Sequence, residues 1–501
     1  MKLPLLLATL AVALLVRLPG IGWGLPPVTP EVRASDMRSS YAFDEDDILS
    51  GVAKASVARL DFDPNEYHWG TLHIELTLLA LDGAQAAGAF HAPWRLAYYN
   101  LAPGDFDRVY IVGRLVTVAT ALLTVWLLFQ FPFEWAGVFA AMLIAVSPSH
   151  MLQSDQIRVD VTMTAMLALT LLVALRAQGD GRPRWFLLLG IAAGLAMAAK
   201  YSAVTAVGAI SLAALILRRL PWRGAAAVLV GALIGFIAGG PYIVIKPKAF
   251  YDEISRYMIG NSQVPTELTI PAGKLFALHA MNLARFSIGL PAFLLAIGGI
   301  AWMLRRRAPV DWIIFAGIVG YAVILVPLRW ALIRYDLPLA LMLGLCAGFA
   351  LERLSKPWRY SLTVAALAMP LAGCIAQIDY MRAPHPANTI MERILAEVPP
   401  GAAISRLFRE SPPLDEKVYP LGPSVFMGDL AASPPAWVLM ADLPDSPYKP
   451  STLALLHSSY SEVAHANLDR MLGWATLGES GAPHDWKYTH PRFTLYRRKS
   501  Q

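Results

Sequence analysis

The sequence predicts a polytopic α-helical membrane protein of about eleven transmembrane helices, ending in a small extracytoplasmic α/β domain. Three observations predict it. Of the 501 residues, 56% are hydrophobic and only 16% charged, with a mean hydropathy of +0.48, whereas a soluble domain carries roughly a quarter charged residues. Apolar runs near the ~20 residues that span a bilayer recur along the chain. Basic residues gather in alternate short loops, the positive-inside pattern. That distribution says more than the net charge of +6.

The elements follow in order. After Met1-Lys2 an apolar run covers 3–25. A basic start and an apolar centre suit a signal peptide, but no small-x-small cleavage site follows cleanly and the run is long enough to span, so a retained first helix is expected. Further runs lie at 109–130, 135–148, 159–175, 185–199, 201–217, 224–245, 286–304, 312–328, 333–351 and 360–378. Some are short for a span, so tilted or partly re-entrant segments are expected among them. Four alternate loops each carry three cations: Arg176, Arg182 and Arg184; Arg218, Arg219 and Arg223; Arg305, Arg306 and Arg307; Arg353, Lys356 and Arg359. They assign those loops and the N-terminus to the cytoplasm; the turn at 131–134 lacks cations and is a minor exception. Parity then puts 26–108, 149–158, the Lys200 turn, 246–285, 329–334 and everything after Asp379 outside.

Two units are expected, a membrane unit over 1–379 and a soluble extracytoplasmic α/β domain over 380–501. The tail is rich in Pro and polar residues, with a helix-like stretch at 387–398 and strand-like pieces at 402–405, 437–440 and 493–496. Cys346 and Cys374 are the only cysteines and lie in apolar runs, so there is no disulfide framework. No repeat or low-complexity tract is present. His457, His465, His484 and His490 in the tail lack the tight spacing of a zinc site.

The anomalous residues are polar ones beside apolar runs. Ser39-Ser40-Tyr41-Ala42-Phe43 leads into four acids, Asp44, Glu45, Asp46 and Asp47. Acids favour the first turn of a helix, so a solvated helix start explains them as readily as a site does. Gln153-Ser154-Asp155-Gln156-Ile157-Arg158-Val159-Asp160 precedes a long apolar helix. Asp160 sits in its first turn, and pairing with Arg158 is the plain structural explanation. Ionisable residues at membrane depth are functional by default. Lys200 stands in a tight outer turn before Tyr201, where it either snorkels to headgroups or holds a phosphate. Arg334-Tyr335 opens a later helix on the same side.

With these residues laid out, the chain resembles the dolichyl-phosphate-mannose–protein mannosyltransferase family of the GT-C glycosyltransferase superfamily, which includes aminoarabinose lipid A transferases. The resemblance covers most of the membrane part. It rests on Asp44-Glu45, Tyr67-His68-Trp69-Gly70-Thr71-Leu72-His73, Gly113-Arg114-Leu115, Ser147-Pro148-Ser149-His150, Arg158-Val159-Asp160, Gly194-Leu195-Ala196, Lys200-Tyr201, and Arg334-Tyr335 with Pro338. It implies a GT-C-like, inverting enzyme of a bacterial inner membrane, moving a sugar from a polyprenyl-phosphate donor to an extracytoplasmic lipid, glycan or protein. Asp44 matches the catalytic carboxylate, Glu45 its acidic neighbour and Asp160 the second-loop acid; Lys200, Arg334 and Tyr335 would meet the donor phosphate. The acidic run extends through Asp47, which leaves the base uncertain by one or two positions, and Asp155 could stand in for Asp160. A divalent metal occurs in some relatives; here His68, His73 and Glu75 offer nitrogen and oxygen donors of the kind Zn²⁺ accepts.

A hydroxyl attacking a sugar carbon needs a base, and a departing phosphate needs cations. The rival readings are a lipid or solute transporter, whose sites usually lie nearer the midplane, and a non-catalytic envelope assembly protein. Nucleic-acid binding is not expected, because the positive-inside pattern already accounts for the basic residues. No Gly-rich phosphate loop leads to Lys-Ser or Lys-Thr, which argues against a nucleotide donor.

Overall fold

The computed structural model describes residues 2–26, 40–42, 44–99, 101–219, 222–262, 270–328, 331–406, 419, 434–441, 450–467, 483, 485–486 and 489–499. It is mostly helical. Its helices include α1 (Lys2–Arg17), α2 (Glu45–Lys54), α3 (Thr71–Ala86), α4 (Phe106–Phe129), α5 (Ala136–Ala145), α6 (Pro148–Ser154), α7 (Val159–Asp180), α8 (Pro183–Ala199), α9 (Val204–Leu217) and α10 (Trp222–Ala238). They continue as α11 (Pro247–Ser262), α12 (Ala272–Asn282), α13 (Leu290–Arg306), α14 (Pro309–Leu328), α15 (Leu337–Glu352), α16 (Lys356–Met381) and α17 (Pro386–Glu397).

Six segments are long and apolar enough to cross a membrane: Leu3–Gly20, Phe106–Phe129, Val159–Asp180, Pro309–Val326, Ile333–Glu352 and Lys356–Glu397. The expected run at 135–148 is not one straight helix. Pro148 opens α6, Ser147 caps it by accepting from the His150 N–H, and the α5–α6 pair bends by 58°. Proline has no N–H to continue α5 and is tolerated in a first turn, so the chain breaks there. Counted as one span, the pair is a seventh, and Pro183–Ala199, Tyr201–Leu217 and Trp222–Ala238 are apolar but shorter.

Large apolar side chains stand exposed along the bundle, among them Leu7, Leu15, Leu212, Leu229, Leu233, Val319 and Val364. Water tolerates no such belt; lipid does. Helix α7 differs. It is apolar all round and buried nearly throughout, as a central helix must be. Backbones approach closely where glycines allow it. A Cβ on Gly190 would lie 2.1 Å from the Val228 carbonyl oxygen and one on Gly231 2.2 Å from that of Leu187, so α8 and α10 pack main chain on main chain.

The tail contains a four-stranded sheet of β1 (Ile404–Arg406), β2 (Trp437–Ala441), β3 (Tyr460–Ala466) and β4 (Phe493–Arg498), in the order β1-β2-β4-β3. β1 and β2 are parallel; the other pairs are antiparallel. Period-two alternation sorts the faces. Trp437, Leu439, Phe493 and Leu495 pack on Ile390 and Ile394 of α17, while Val438 and Tyr496 pack on Leu456.

Candidate active site

Asp44 is the N-cap residue of α2 and adopts left-handed backbone, φ 72°, a conformation that Asp tolerates better than most residues. Its buried Oδ2 accepts a hydrogen bond from Arg158 Nη1 at 2.6 Å and another from Arg334 Nη1. Burial by itself would raise the Asp44 carboxyl, but Arg334 and Arg158 outweigh it and hold it below the ordinary carboxylate range. Arg158 is aimed by Gln156, whose Oε1 accepts from Nε at 3.0 Å and Nη2 at 2.7 Å.

The second pair is Asp160 and Lys200. Lys200 Nζ donates to Asp160 Oδ1 at 2.5 Å, and Asp160 Oδ2, buried in the first turn of α7, has no partner among the described residues. The expected neighbourly pairing of Arg158 with Asp160 is therefore replaced by two long-range pairs. Extended backbone at Arg158, φ −136° and ψ 122°, points its side chain away from the α7 turn that carries Asp160. Lys200 also lies 5.0 Å from the centroid of the Tyr335 ring, and it is close enough to Arg334 and Asp44 to feel both charges. Asp44, Arg158, Asp160, Lys200, Arg334 and Tyr335 thus meet at one end of the bundle.

The other candidates occupy different settings. Glu45 is fully buried and accepts from four donors: Arg114 Nε at 2.9 Å, Arg114 Nη2 at 2.7 Å, Ser40 Oγ at 2.6 Å and the Ile157 N–H at 2.7 Å. Asp46 is bonded by the Tyr110 hydroxyl. Asp155 is buried, faces Arg17 and Arg114, and neither of its oxygens has a hydrogen-bond partner among the described residues. His73 lies inside the bundle, Nδ1 2.8 Å from Thr162 Oγ1. Ser39, Phe43 and His484 fall outside the described residues.

His68 does not gather with His73 and Glu75. Its Nδ1 lies 2.5 Å from Glu253 Oε1 and 3.7 Å from Glu66 Oε2, so Glu66, His68 and Glu253 bring three donor atoms within 4.8 Å of one another. Desolvation would lower the His68 ring, but Glu253 and Glu66 raise it above its usual value. The donor set suits a borderline cation, though the imidazole–carboxylate contact already satisfies two of the three side chains.

Sequence reasoning assigned no role to several residues that build this region, although Arg114 and Gln156 lie in stretches it singled out. Arg114 stands in an apolar run and needed an anion, a signal that was readable. Gln156 and Glu253 carried no such mark. Nor did Asp485, which reaches in from the tail to the backbone of Ile333 and Arg334. His279 and Asp336 form a further buried pair at 2.6 Å. A cavity of about 440 Å³ lies elsewhere, lined by Leu175, Gln178, Gly179 and Arg218 among others. It sits towards the far end of α7 from Asp160, roughly 25 Å away at 1.5 Å per residue, so it is not the pocket of this site.

A bundle of apolar helices with buried acid–cation pairs at one end is the class of protein that fold and site define. Residues 89–245 match the family model of dolichyl-phosphate-mannose-protein mannosyltransferase, and the chain resembles that family as expected. The matched stretch includes Arg114, Asp155, Arg158, Asp160 and Lys200. No curated protein sequence matches the chain. Among solved structures it is similar to ArnT from Cupriavidus metallidurans bound to undecaprenyl phosphate, at 14% identity over 98% of this chain and 97% of that one, with a TM-score of 0.49. It is also similar to the archaeal oligosaccharyltransferase AglB from Archaeoglobus fulgidus in complex with an inhibitory peptide and a dolichol-phosphate, at 12% identity over 99% and 88%, TM-score 0.47. A complex of the Archaeoglobus fulgidus oligosaccharyltransferase with Zn and sulfate is similar at 12% identity over 99% and 88%, TM-score 0.46.

Proposed function

We propose that this chain is an inverting glycosyltransferase that moves a sugar from a polyprenyl-phosphate donor to an acceptor outside the cytoplasm. The observation that carries the reading is the Asp44 carboxylate, buried against two guanidiniums with the Asp160–Lys200 pair beside them. The family match over 89–245 supports the reaction class.

In this reading the donor phosphate competes with Asp44 for Arg158 and Arg334. As they turn to the phosphate, the carboxylate is released towards the acceptor. The acceptor oxygen attacks the anomeric carbon from the face opposite the phosphate and its proton passes to Asp44. The carbon–oxygen bond to the phosphate breaks, and the charge left on the lipid phosphate is met by Arg158, Arg334 and Lys200. Fixed cations aimed at developing charge are often the largest catalytic contribution. Asp160 keeps Lys200 ionised and oriented, and its unpartnered Oδ2 is an acceptor for a sugar hydroxyl. Glu45, with every lone-pair direction occupied, holds α2 to α4 and reacts with nothing.

A divalent cation, if one binds, is held by Glu66, His68 and Glu253, and no step of the transfer runs through it. The bent α5–α6 pair, the three shorter helices and α13 join the six long spans to make eleven, with the N-terminus cytoplasmic and the units dividing near residue 379. The test is transfer of a labelled sugar from a polyprenyl-phosphate panel in membranes holding wild type, Asp44→Asn or Asp160→Asn. Loss of a general base costs about 10²–10⁴-fold, so Asp44→Asn should lose at least that while remaining folded. Equal transfer by wild type and Asp44→Asn would overturn the reading.

A further inference from the structure

Arg334 is held by its backbone from one side and by Asp44 from the other. The 3₁₀ turn Ile333–Asp336 opens the span that continues as α15, and the first N–H groups of a helix have no partner within it. Here a residue about 150 positions downstream supplies one. Asp485 Oδ1 accepts from the Ile333 N–H at 2.8 Å and Oδ2 from the Arg334 N–H at 3.0 Å, both buried. Each oxygen takes one donor, so the carboxylate fixes both the position and the tilt of this turn.

Asp485 is itself fixed. Trp486, almost fully buried, packs with Phe286, Ile333, Met151 and Tyr380 in one apolar cluster. Its ring lies 5.0 Å from that of Phe286 and stacks on His490 at 5.2 Å. His490 reaches Gln377 of α16 at 3.3 Å. The segment is wedged between α6, α16 and the turn before α13, which sets the register of the acid. The Arg334 side chain is held at its tip by Asp44 and lies 5.7 Å from the centroid of the Tyr335 ring, but its Nε is buried without a partner among the described residues, so nothing fixes it midway. A long side chain magnifies any shift of its backbone, so the carboxylate from the tail determines where the guanidinium falls.

We infer that Asp485 is a positioning residue that seats Arg334 for the lipid phosphate, so that the C-terminal segment completes the binding site rather than merely covering it. The inference rests on the proposed role of Arg334 towards the donor. A plain cap would contribute stability and nothing else, and the measurements separate the two.

The full chain in lipid nanodiscs is used as wild type, Asp485→Ala, Asp485→Asn, Arg334→Ala and the Asp485→Ala/Arg334→Ala double variant. Binding of a sugar-free polyprenyl phosphate, KM for donor and for acceptor, kcat and the melting temperature are measured. Leaving two buried N–H groups unmet and Arg334 unseated should weaken polyprenyl-phosphate binding and raise donor KM about tenfold, with acceptor KM unchanged. Asp485→Asn, keeping one carbonyl oxygen, should fall between. The double variant should bind no more weakly than Arg334→Ala, because both changes remove the same interaction. Polyprenyl-phosphate binding unaltered in Asp485→Ala, or losses that simply add in the double variant, would overturn the inference. Should Asp485→Ala not fold, Asp485→Asn decides by the same two readings. If wild type transfers no sugar yet Asp485→Ala still weakens polyprenyl-phosphate binding, the transferase reading falls and the positioning role stands.

Discussion

Helix α7 begins and ends with an acid, and the two acids have opposite surroundings. Asp160 is buried, bound to Lys200 from the turn that follows α8, and keeps one oxygen unpartnered among the described residues. Asp180, partly exposed, is flanked by its sequence neighbours Arg182 at 2.9 Å and Arg184 at 3.5 Å. The chemistry of the pairs is alike; their solvent is not. Water screens the second pair and leaves it little net energy. Where water is excluded, a charge must be matched by a particular partner, and removing that partner is severe. Ion pairs at the Asp180 end join exposed sequence neighbours; those at the Asp160 end hold the candidate site together.

The largest effect that would test this contrast is on folding. Glu45→Ala leaves Arg114 buried without its carboxylate, and breaking such a pair costs about 3–5 kcal/mol. We expect little folded protein by size-exclusion fluorescence in detergent. A variant that melts like wild type would show that the Asp44–Asp160 end is far wetter than its burial implies.

An intermediate effect concerns pH. Asp44 is held below the ordinary carboxylate range by Arg334 and Arg158 against the opposing effect of burial. Its contribution to stability is therefore present above its unfolded pKa and lost as pH falls through the lower folded value. A base works ionised, so its rate falls as pH drops through its pKa. Arg158→Gln removes one of two cations and should move the acid limb of the pH–rate profile to higher pH. An acid limb that stays where it is in wild type would exclude Asp44 as the titrating base.

The smallest effect is at the other end. Asp180→Asn should leave both transfer rate and melting temperature at wild-type values. A clear loss in either would mean that the exposed pair does more than its screened surroundings imply.

Much of the candidate site was legible because its residues are out of place. Asp44, Arg158, Asp160, Lys200 and Arg334 stand out in an apolar chain, and parity gathered them on one side. Their pairing was not legible. Sequence adjacency suggested Arg158 with Asp160, whereas extended backbone at Arg158 sends it to Asp44 instead. Asp485 looked like any acid in a polar tail, since nothing local says that it caps a turn at residue 333. The break at Pro148 was visible as a proline, but a proline at the end of an apolar run fits a loop as well as a bend.

The contact of α8 with α10 has a consequence for how the chain is made. Gly190 and Gly231 let those helices meet directly, leaving α9, which lies between them in sequence, to pack on α14, where Gly320 sits against Thr205 and Ala209. α14 starts only at Pro309, although α9 is finished at Leu217. At roughly 5–20 residues per second of synthesis, α9 waits on the order of ten seconds beside a completed pair, facing lipid with a surface meant for a helix that does not yet exist.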